Sequence, residues 1–439
     1  MNRICDVRAL QVLDSRGNPT VEATVTLDDG STGTAITASG ASTGTHEAYE
    51  LRDTDDPRYL GKGVYRAVAN VRSLIKPAIV GMQAESLWDL AAIDARMRGL
   101  DVNPMLRTIG ANGVIAVSMA TARAIAAYEH VPLFRLWRGA EHRLLLPVPQ
   151  LNVVNGGKHA DGLEIQELMI VPVGAPTFAE AIRWAVEVTA ALRSSIKQAG
   201  KPTTVGDEGG FAPGYRTVRE ALQAIRSAIQ QAGFRPGSQV AIAIDAAANE
   251  FFSREIGKYL LPSEGGEKTT EELVAFWIAL CNDFPELISI EDGVHEADWE
   301  GSAALQRELG NRVQIVGDDL FVTNPDRFVL GIERRAANTI LIKPNQNGTV
   351  TGTLEVCEAA KKLCWGRIVS HRSGETEDTF IAHFAVGIGA GQIKTGAPCR
   401  TDRIGKYNEL LRIESSNTTR YAGWGAFPHV PGLAKRFAP

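Results

Sequence analysis

Short runs of aliphatic and β-branched residues recur through the second half of the chain, and each ends in a charged or hydroxyl-bearing side chain. Ala241-Ile242-Ala243-Ile244 stops at Asp245, Leu287-Ile288-Ser289-Ile290 at Glu291, and Val313-Gln314-Ile315-Val316-Gly317 at Asp318-Asp319. Thr339-Ile340-Leu341-Ile342 stops at Lys343, Arg367-Ile368-Val369 at Ser370-His371, and Gly391-Gln392-Ile393 at Lys394. Four of the five intervals between these ends measure 23 to 28 residues, room for one strand, one helix and two loops. That spacing predicts parallel strands joined by crossover helices. Thr177 to Lys197 reads as such a helix, with apolar residues at Phe178, Ile182, Ala185, Val188, Leu192 and Ile196, a capping box expected at Thr177 and Glu180, and Gly200 beyond its end. Repeated units of this length predict a (β/α) barrel, in which the C-terminal ends of the strands converge on one mouth. Three carboxylates, two lysines and a histidine would then meet there.

The N-terminal stretch has a different rhythm. Val21 to Leu27 alternates apolar with polar, Asp28-Asp29-Gly30 is a turn signal, and Ser31 to Thr37 returns as the second arm of a hairpin. Small residues from Ser39 to Gly44 follow, a lid in which glycines permit hinge motion and serines offer oxygens. Helical patterns occupy residues 63–128, notably Ala111 to Ala127. Two prolines between Glu141 and Pro149 mark a domain boundary. The expected organisation is a smaller α+β domain over residues 1–140, with the lid at 39–44, ahead of a barrel over residues 141–439.

Composition narrows the class. The 439 residues can hold two domains, and 44% hydrophobic content supplies a large core. With 46 basic against 51 acidic residues the net charge is −5, so nucleic acid is not expected as the main partner. Cys5, Cys281, Cys357, Cys364 and Cys399 are odd in number, scattered and without CxxC spacing, the usage of reduced thiols in the cytoplasm. No apolar run has the length of a membrane span, and Met1 to Leu13 lacks an apolar signal core.

Ser370, His371, Arg372 and Ser373 crowd several donors into four residues, enough to bind one phosphate or carboxylate, with the guanidinium offering a planar two-point contact. A small anionic ligand is therefore expected at the mouth.

At this point the chain resembles the enolases. The resemblance runs over essentially the full length and rests on Leu13 to Glu22, Ser39 to Gly44, Asn155 to Ala160, Gln166-Glu167 and Val205 to Gly210. It continues through Ser289 to Asp292, Gly317 to Asp319, Ile342-Lys343, Ser370 to Asp378, and Gly391 to Gly396. It implies a modified (β/α)8 TIM barrel beginning ββαα behind the smaller N-terminal domain, a homodimer or larger homo-oligomer, and a small phosphorylated substrate. The implied reaction is reversible dehydration of 2-phosphoglycerate to phosphoenolpyruvate with two Mg²⁺ ions, the second arriving with substrate.

The same resemblance assigns roles. Asp245, Glu291 and Asp318 match the ligands of the first Mg²⁺, a hard cation suited to oxygen donors, and Ser42 matches a ligand of the second. Lys343 matches the base, and the family pattern of a lysine or histidine base beside one or two Mg²⁺ agrees. Nearby metal charge and Lys394 are expected to lower the Lys343 pKa, and Pro344 after it favours the extended backbone of a strand end. Glu208 matches the acid, with Glu167 its partner, and His371 completes the catalytic set. Arg372 and Ser373 would hold the phosphate, Lys394 the developing carboxylate charge, and His159 and Gln166 other parts of the substrate. His46, His130, His142, His295 and His429 read as surface or structural residues.

Several positions depart from the usual pattern. The loop from His159 to Gln166 is one residue short, Gly293 stands for a proline, Asn347 for an apolar residue, Ala38 for a proline and His383 for an aspartate. Besides a glycolytic enolase, two readings therefore stand. One is a paralogue of secondary metabolism such as carboxyphosphonoenolpyruvate synthase, with room for an extra group at Gly293 and a hydrogen bond from Asn347. The other is a non-catalytic binding or structural protein on the same scaffold.

Overall fold

The alternation near the N-terminus builds an antiparallel sheet in the computed structural model, which describes residues 1–41, 43–138, 143–160 and 162–437. β1 (Ile4–Leu13), β2 (Pro19–Leu27) and β3 (Thr32–Ile36) pair in sequence order. Val21, Ala23, Val25 and Leu27 point into the core while the residues between them are partly exposed, as a period of two requires for a sheet covered on one face. The expected hairpin is present, with Gly30 at φ +89 in its turn. The helix Ala111–Tyr128 covers the inner face and is buried along nearly its whole length, so its apolar residues need no amphipathic stripe.

The chain then forms β4 (Leu144–Leu146), β5 (Val148–Asn155) and β6 (Glu167–Val171), two helices (Phe178–Gln198 and Val218–Gln231), and β7 (Ala241–Asp245). A small antiparallel sheet of β8 (Phe252–Ser253), β9 (Lys258–Leu261) and β10 (Gly266–Lys268) follows. β11 (Leu287–Glu291), β12 (Gln314–Gly317), β13 (Thr339–Ile342), β14 (Gly366–Ser370) and β15 (Gly391–Lys394) then alternate with helices, and β16 (Thr419–Tyr421) returns to β4. The eight strands β11-β12-β13-β14-β15-β5-β6-β7 close into a barrel. All six strands read from their apolar runs lie in it.

One strand runs backwards. β6 pairs antiparallel with both β5 and β7, whereas the other barrel pairs are parallel. This is the ββαα opening, and it matters chemically because the first residue of β6, not its last, lies at the mouth. Glu167 is thereby set opposite Asn155 on β5 and Asp245 on β7.

Smaller differences have local causes. Thr177 caps Phe178–Gln198 by accepting from Glu180 N at 3.1 Å, but the Glu180 carboxylate turns to Arg183 and Trp184, so only half of the expected box forms. The reciprocal box occurs instead at Thr269 and Glu272. Inside the barrel Gln150, Gln392 and Gln314 hydrogen-bond one another, which lets polar side chains occupy strands that otherwise read as aliphatic. The expected domain boundary at 140/141 falls within 139–142, outside the described residues. Among the described residues no helix is long and apolar enough to cross a membrane.

The N-terminal sheet meets its helix where Gly33 lies on the backbone of Ala120 and Ala124, so closely that a Cβ would overlap the Ala120 carbonyl oxygen. Gly33→Ala is expected to force the two elements apart and to destabilise the protein by about 1–3 kcal/mol, measured by urea unfolding. An unchanged midpoint would mean that the interface is looser than described.

Candidate active site

Parallel pairing places the last residues of neighbouring barrel strands side by side. Asp245 on β7 is in register with Glu291 on β11, and Ser370 on β14 with Lys394 on β15. Lys394 reaches across to this acidic side: its Nζ lies 2.8 Å from Asp245 Oδ2, 2.9 and 3.0 Å from the two oxygens of Glu291, and 3.3 Å from Glu167 Oε1. All four residues are at most 5% exposed. Burial opposes the Lys394 charge, but the surrounding carboxylates outweigh it and lift its pKa well above that of free lysine. Burial and then Asp245 drive the Glu291 pKa well up, the mark of carboxylates in excess of their cation.

Asp318 follows β12, and its Oδ2 accepts from Lys343 Nζ after β13 while Oδ1 accepts from Gln346 Nε2 at 2.8 Å. Asp292, at φ +42, turns its carboxylate back to accept the backbone N–H groups of Asp318 and Asp319 at 2.9 and 2.7 Å. Asp292, Asp318 and Asp319 bring one oxygen each within 4.8 Å of one another. Lys343 has the extended backbone expected before proline, φ −125 and ψ 107. Without metal charge its pKa is raised. Burial, Arg372 and Lys394 do pull it down, yet the Asp318 carboxylate outweighs them and raises it.

Glu208 is the centre of a second cluster. His371 Nε2 stands 3.4 Å from its Oε2 and His159 Nε2 3.7 Å from its Oε1, and Asn152 Nδ2 donates to Oε2 at 3.2 Å. Burial would raise the Glu208 pKa, but its N–H-bearing neighbours, His371 first and then His159 and Arg403, outweigh it and hold it well below the ordinary carboxylate value. Burial and the neighbouring Glu208 push Glu167 the opposite way, well above the ordinary carboxylate value. Glu167 Oε2 and Gln166 Oε1 are buried without a hydrogen-bond partner in the protein, which fits strand ends built to meet a ligand.

The anion-binding segment is more occupied than expected. Arg372 forms a two-point contact with Glu47, Nη1 to Oε2 at 2.8 Å and Nη2 to Oε1 at 3.1 Å, and Nη1 also donates to Asn345 Oδ1 at 3.2 Å. Ser373 Oγ lies 3.4 Å from Arg16 Nη1. At the base of the expected lid Ser39 and Gly374 exchange two backbone hydrogen bonds of 2.8 Å, while Gly44 N donates to Glu47 and Thr45 to Glu296. Ser42 lies outside the described residues. Between lid and barrel is a cavity of about 380 Å³ lined by Gly40, Thr43, Glu47, Asn345 and Arg372, among others.

Glu47, Glu296 and Arg403 were not recognised as site residues. Arg403, on the helix Thr401–Ser416, has no exposed surface and holds His371 and the carbonyls of Asp207, Arg372 and Ser373. A helical register of three to four residues from Arg403 to Lys406, Tyr407 and Leu410, all buried, was the available signal, but a cation on an apolar face has no partner visible in sequence. The Arg372 and Glu47 side chains are 3% and 10% exposed. Glu47→Ala, which leaves the buried guanidinium without its carboxylate, is expected to cost about 3–5 kcal/mol of stability in denaturant unfolding. A loss within error of zero would show the pair to be replaceable by solvent.

Asp245, Glu291 and Asp318 are buried oxygen donors of the kind a hard divalent cation takes, with two lysines beside them, but among the described residues the three carboxylates whose oxygens lie within 4.8 Å of one another are Asp292, Asp318 and Asp319. Residues 4–136 match the family model described as enolase, N-terminal domain, and residues 143–428 match enolase, C-terminal TIM barrel domain. Together these matches span nearly the whole chain, and the closed barrel with its reversed second strand accords with them. The chain belongs to the enolase family.

Proposed function

We propose that this protein is a Mg²⁺-dependent hydro-lyase, phosphopyruvate hydratase, catalysing reversible dehydration of 2-phosphoglycerate in glycolysis. The observation that carries the reading is the gathering at one barrel mouth of a buried lysine, Lys343, held by Asp318, and two buried carboxylates, Glu167 and Glu208, with oxygens within 4.8 Å of one another. Removing water from a hydroxy acid needs both a base and an acid.

In this reading Lys343 Nζ takes the proton from C2, and the electron pair left behind becomes the C2–C3 double bond as the C3–O bond breaks. The departing hydroxide takes its proton from the Glu167–Glu208 pair through Glu208 and leaves as water. Lys394 faces the charge that grows on the substrate carboxylate. Arg372 and Ser373 hold the phosphate, and His159, Gln166 and His371 position the remainder. Asp245, Glu291 and Asp318 would hold one Mg²⁺ and Ser42 would help to hold a second that arrives with substrate. Bound there, the ions supply positive charge to the substrate carboxylate and offset the carboxylates around the two lysines. Engaging Asp318 and Glu291 elsewhere would weaken the pull of the carboxylates, Asp318 first and then Glu291, that keep the Lys343 pKa high, which would let that lysine act as a base.

Free thiols at all five cysteines support cytoplasmic residence. The family resemblance supports a homodimer or larger homo-oligomer.

The departures favour the glycolytic enzyme over a specialised paralogue. The space beside Gly293 is filled by Leu305, Ile290 and Trp277, the last donating to Gly293 O at 2.8 Å. Asn347 spends its side chain internally, donating to Thr323 O at 3.1 Å and accepting from Thr349 Oγ1 at 3.2 Å. Gly293 has no spare room for an added substrate group, and the Asn347 side chain is already engaged with Thr323 and Thr349. A retired scaffold is disfavoured because fold stability gives no reason to bury so many carboxylates together.

Turnover of 2-phosphoglycerate, followed by absorbance of the enol product, is expected to vanish on chelation and return with Mg²⁺; full turnover in excess EDTA would remove the metal. The two half-reactions should also separate. Lys343→Ala is expected to abolish exchange of the C2 proton with solvent, whereas Glu208→Gln should slow dehydration by about 10²–10⁴-fold and leave that exchange measurable. Exchange that survives in the lysine variant would reverse the roles.

A further inference from the structure

We propose that Arg403 and Asn155 are positioning residues that lock His371 and His159 as their Nε2–H tautomers, so that two uncharged imidazoles present N–H groups to the two oxygens of Glu208. The proposal rests on the reading of Glu208 as the acid and adds what aims it.

The first lock follows from donor chemistry. Arg403 Nη1 lies 2.6 Å from His371 Nδ1. A guanidinium has five N–H donors, no acceptor, and does not lose its proton in proteins. Nδ1 must therefore offer its lone pair, and the ring hydrogen resides on Nε2, the nitrogen 3.4 Å from Glu208 Oε2. A second proton on Nδ1 would oppose N–H to N–H inside a site where Arg403 has no exposed surface. Arg403 is itself immobilised, since Nη1 donates to Arg372 O at 2.5 Å and Nη2 to Ser373 O at 2.5 Å and Asp207 O at 3.1 Å. One side chain thus ties the residue before Glu208 to the segment that carries His371, Arg372 and Ser373.

The second lock is built from different atoms. Asn155 Nδ2 lies 3.3 Å from His159 Nδ1, and the amide is held in that orientation because the same nitrogen also donates to Gln166 O at 3.4 Å. An amide nitrogen only donates, so His159 Nδ1 also accepts and its Nε2–H faces Glu208 Oε1 at 3.7 Å. At His371 burial favours the uncharged ring and holds its pKa down to about 4. The two ring N–H groups face one Glu208 oxygen each at 3.4 and 3.7 Å, close enough to complete hydrogen bonds on a small shift, while Asn152 Nδ2 already donates to Oε2 at 3.2 Å.

The test is a long-range ¹H–¹⁵N spectrum of the full-length protein with ¹⁵N-labelled histidine at neutral pH, the two rings assigned by their loss in His371→Asn and His159→Asn. Both rings are expected as neutral Nε2–H tautomers. An Nδ1–H or imidazolium pattern at either ring overturns the proposal whether or not any variant folds. Asn155→Asp, nearly isosteric but accepting, should flip His159 to the Nδ1–H form, and Arg403→Gln should leave His371 in mixed tautomers. Each variant is expected to lose about tenfold or more in kcat for dehydration, part of the general-acid contribution, with C2 exchange retained. Unchanged tautomers in both variants would refute the locks. If 2-phosphoglycerate is not a substrate the spectra still decide the tautomers, so failure of the functional reading is seen separately.

Discussion

Everything at the barrel mouth depends on the burial of Lys394 among Asp245, Glu291 and Glu167. A carboxylate taken out of water without a partner is costly enough that it normally takes up a proton instead. Three of them beside one ammonium keep enough charge to be chemically useful only because the rigid barrel fixes where each can go. Lys343 and Asp318 repeat the arrangement one strand further round. Each lysine is held charged by neighbouring carboxylates, and in the proposed function the same balance would set both metal affinity and the basicity of Lys343.

The reversal of β6 is what makes this geometry possible. In an all-parallel barrel Glu167, as the first residue of its strand, would lie at the opposite end from Asp245. Running β6 backwards brings Glu167 to the mouth, where it neighbours both Lys394 and Glu208. A single topological exception thus joins the cation cluster to the pair of Glu167 and Glu208.

The strand ends were legible because apolar runs terminate where the chain leaves the core, and the phase of the charged residues at those ends survives without knowledge of pairing. The direction of β6 was not legible from periodicity, since a five-residue buried strand reads the same both ways, and it was anticipated only through resemblance. Contacts between distant segments were hidden as well. Glu47 lies 325 residues from Arg372, and Arg403 approaches His371 from a helix rather than from a strand end. The contact between Lys343 and Asp318, which raises the lysine's pKa, was also hidden, because Asp318 reads from sequence as a metal ligand and not as the lysine's own partner. Whether Gly293 and Asn347 leave openings for a new substrate group was not legible in sequence either, because it depends on Leu305, Ile290 and Trp277 around the one and on Thr323 and Thr349 beside the other.

The claim on which the account stands is that Asp245, Glu291 and Asp318 act together as a hard-cation site in competition with the two lysines. Calorimetric titration of the ligand-free protein with Mg²⁺, set beside the same titration of Glu291→Gln and Asp318→Asn, measures this without reference to turnover. The account predicts saturable binding to the unaltered protein and at least about tenfold weaker binding in each variant, roughly 1.4 kcal/mol per tenfold. Equal affinity in all three proteins would contradict it.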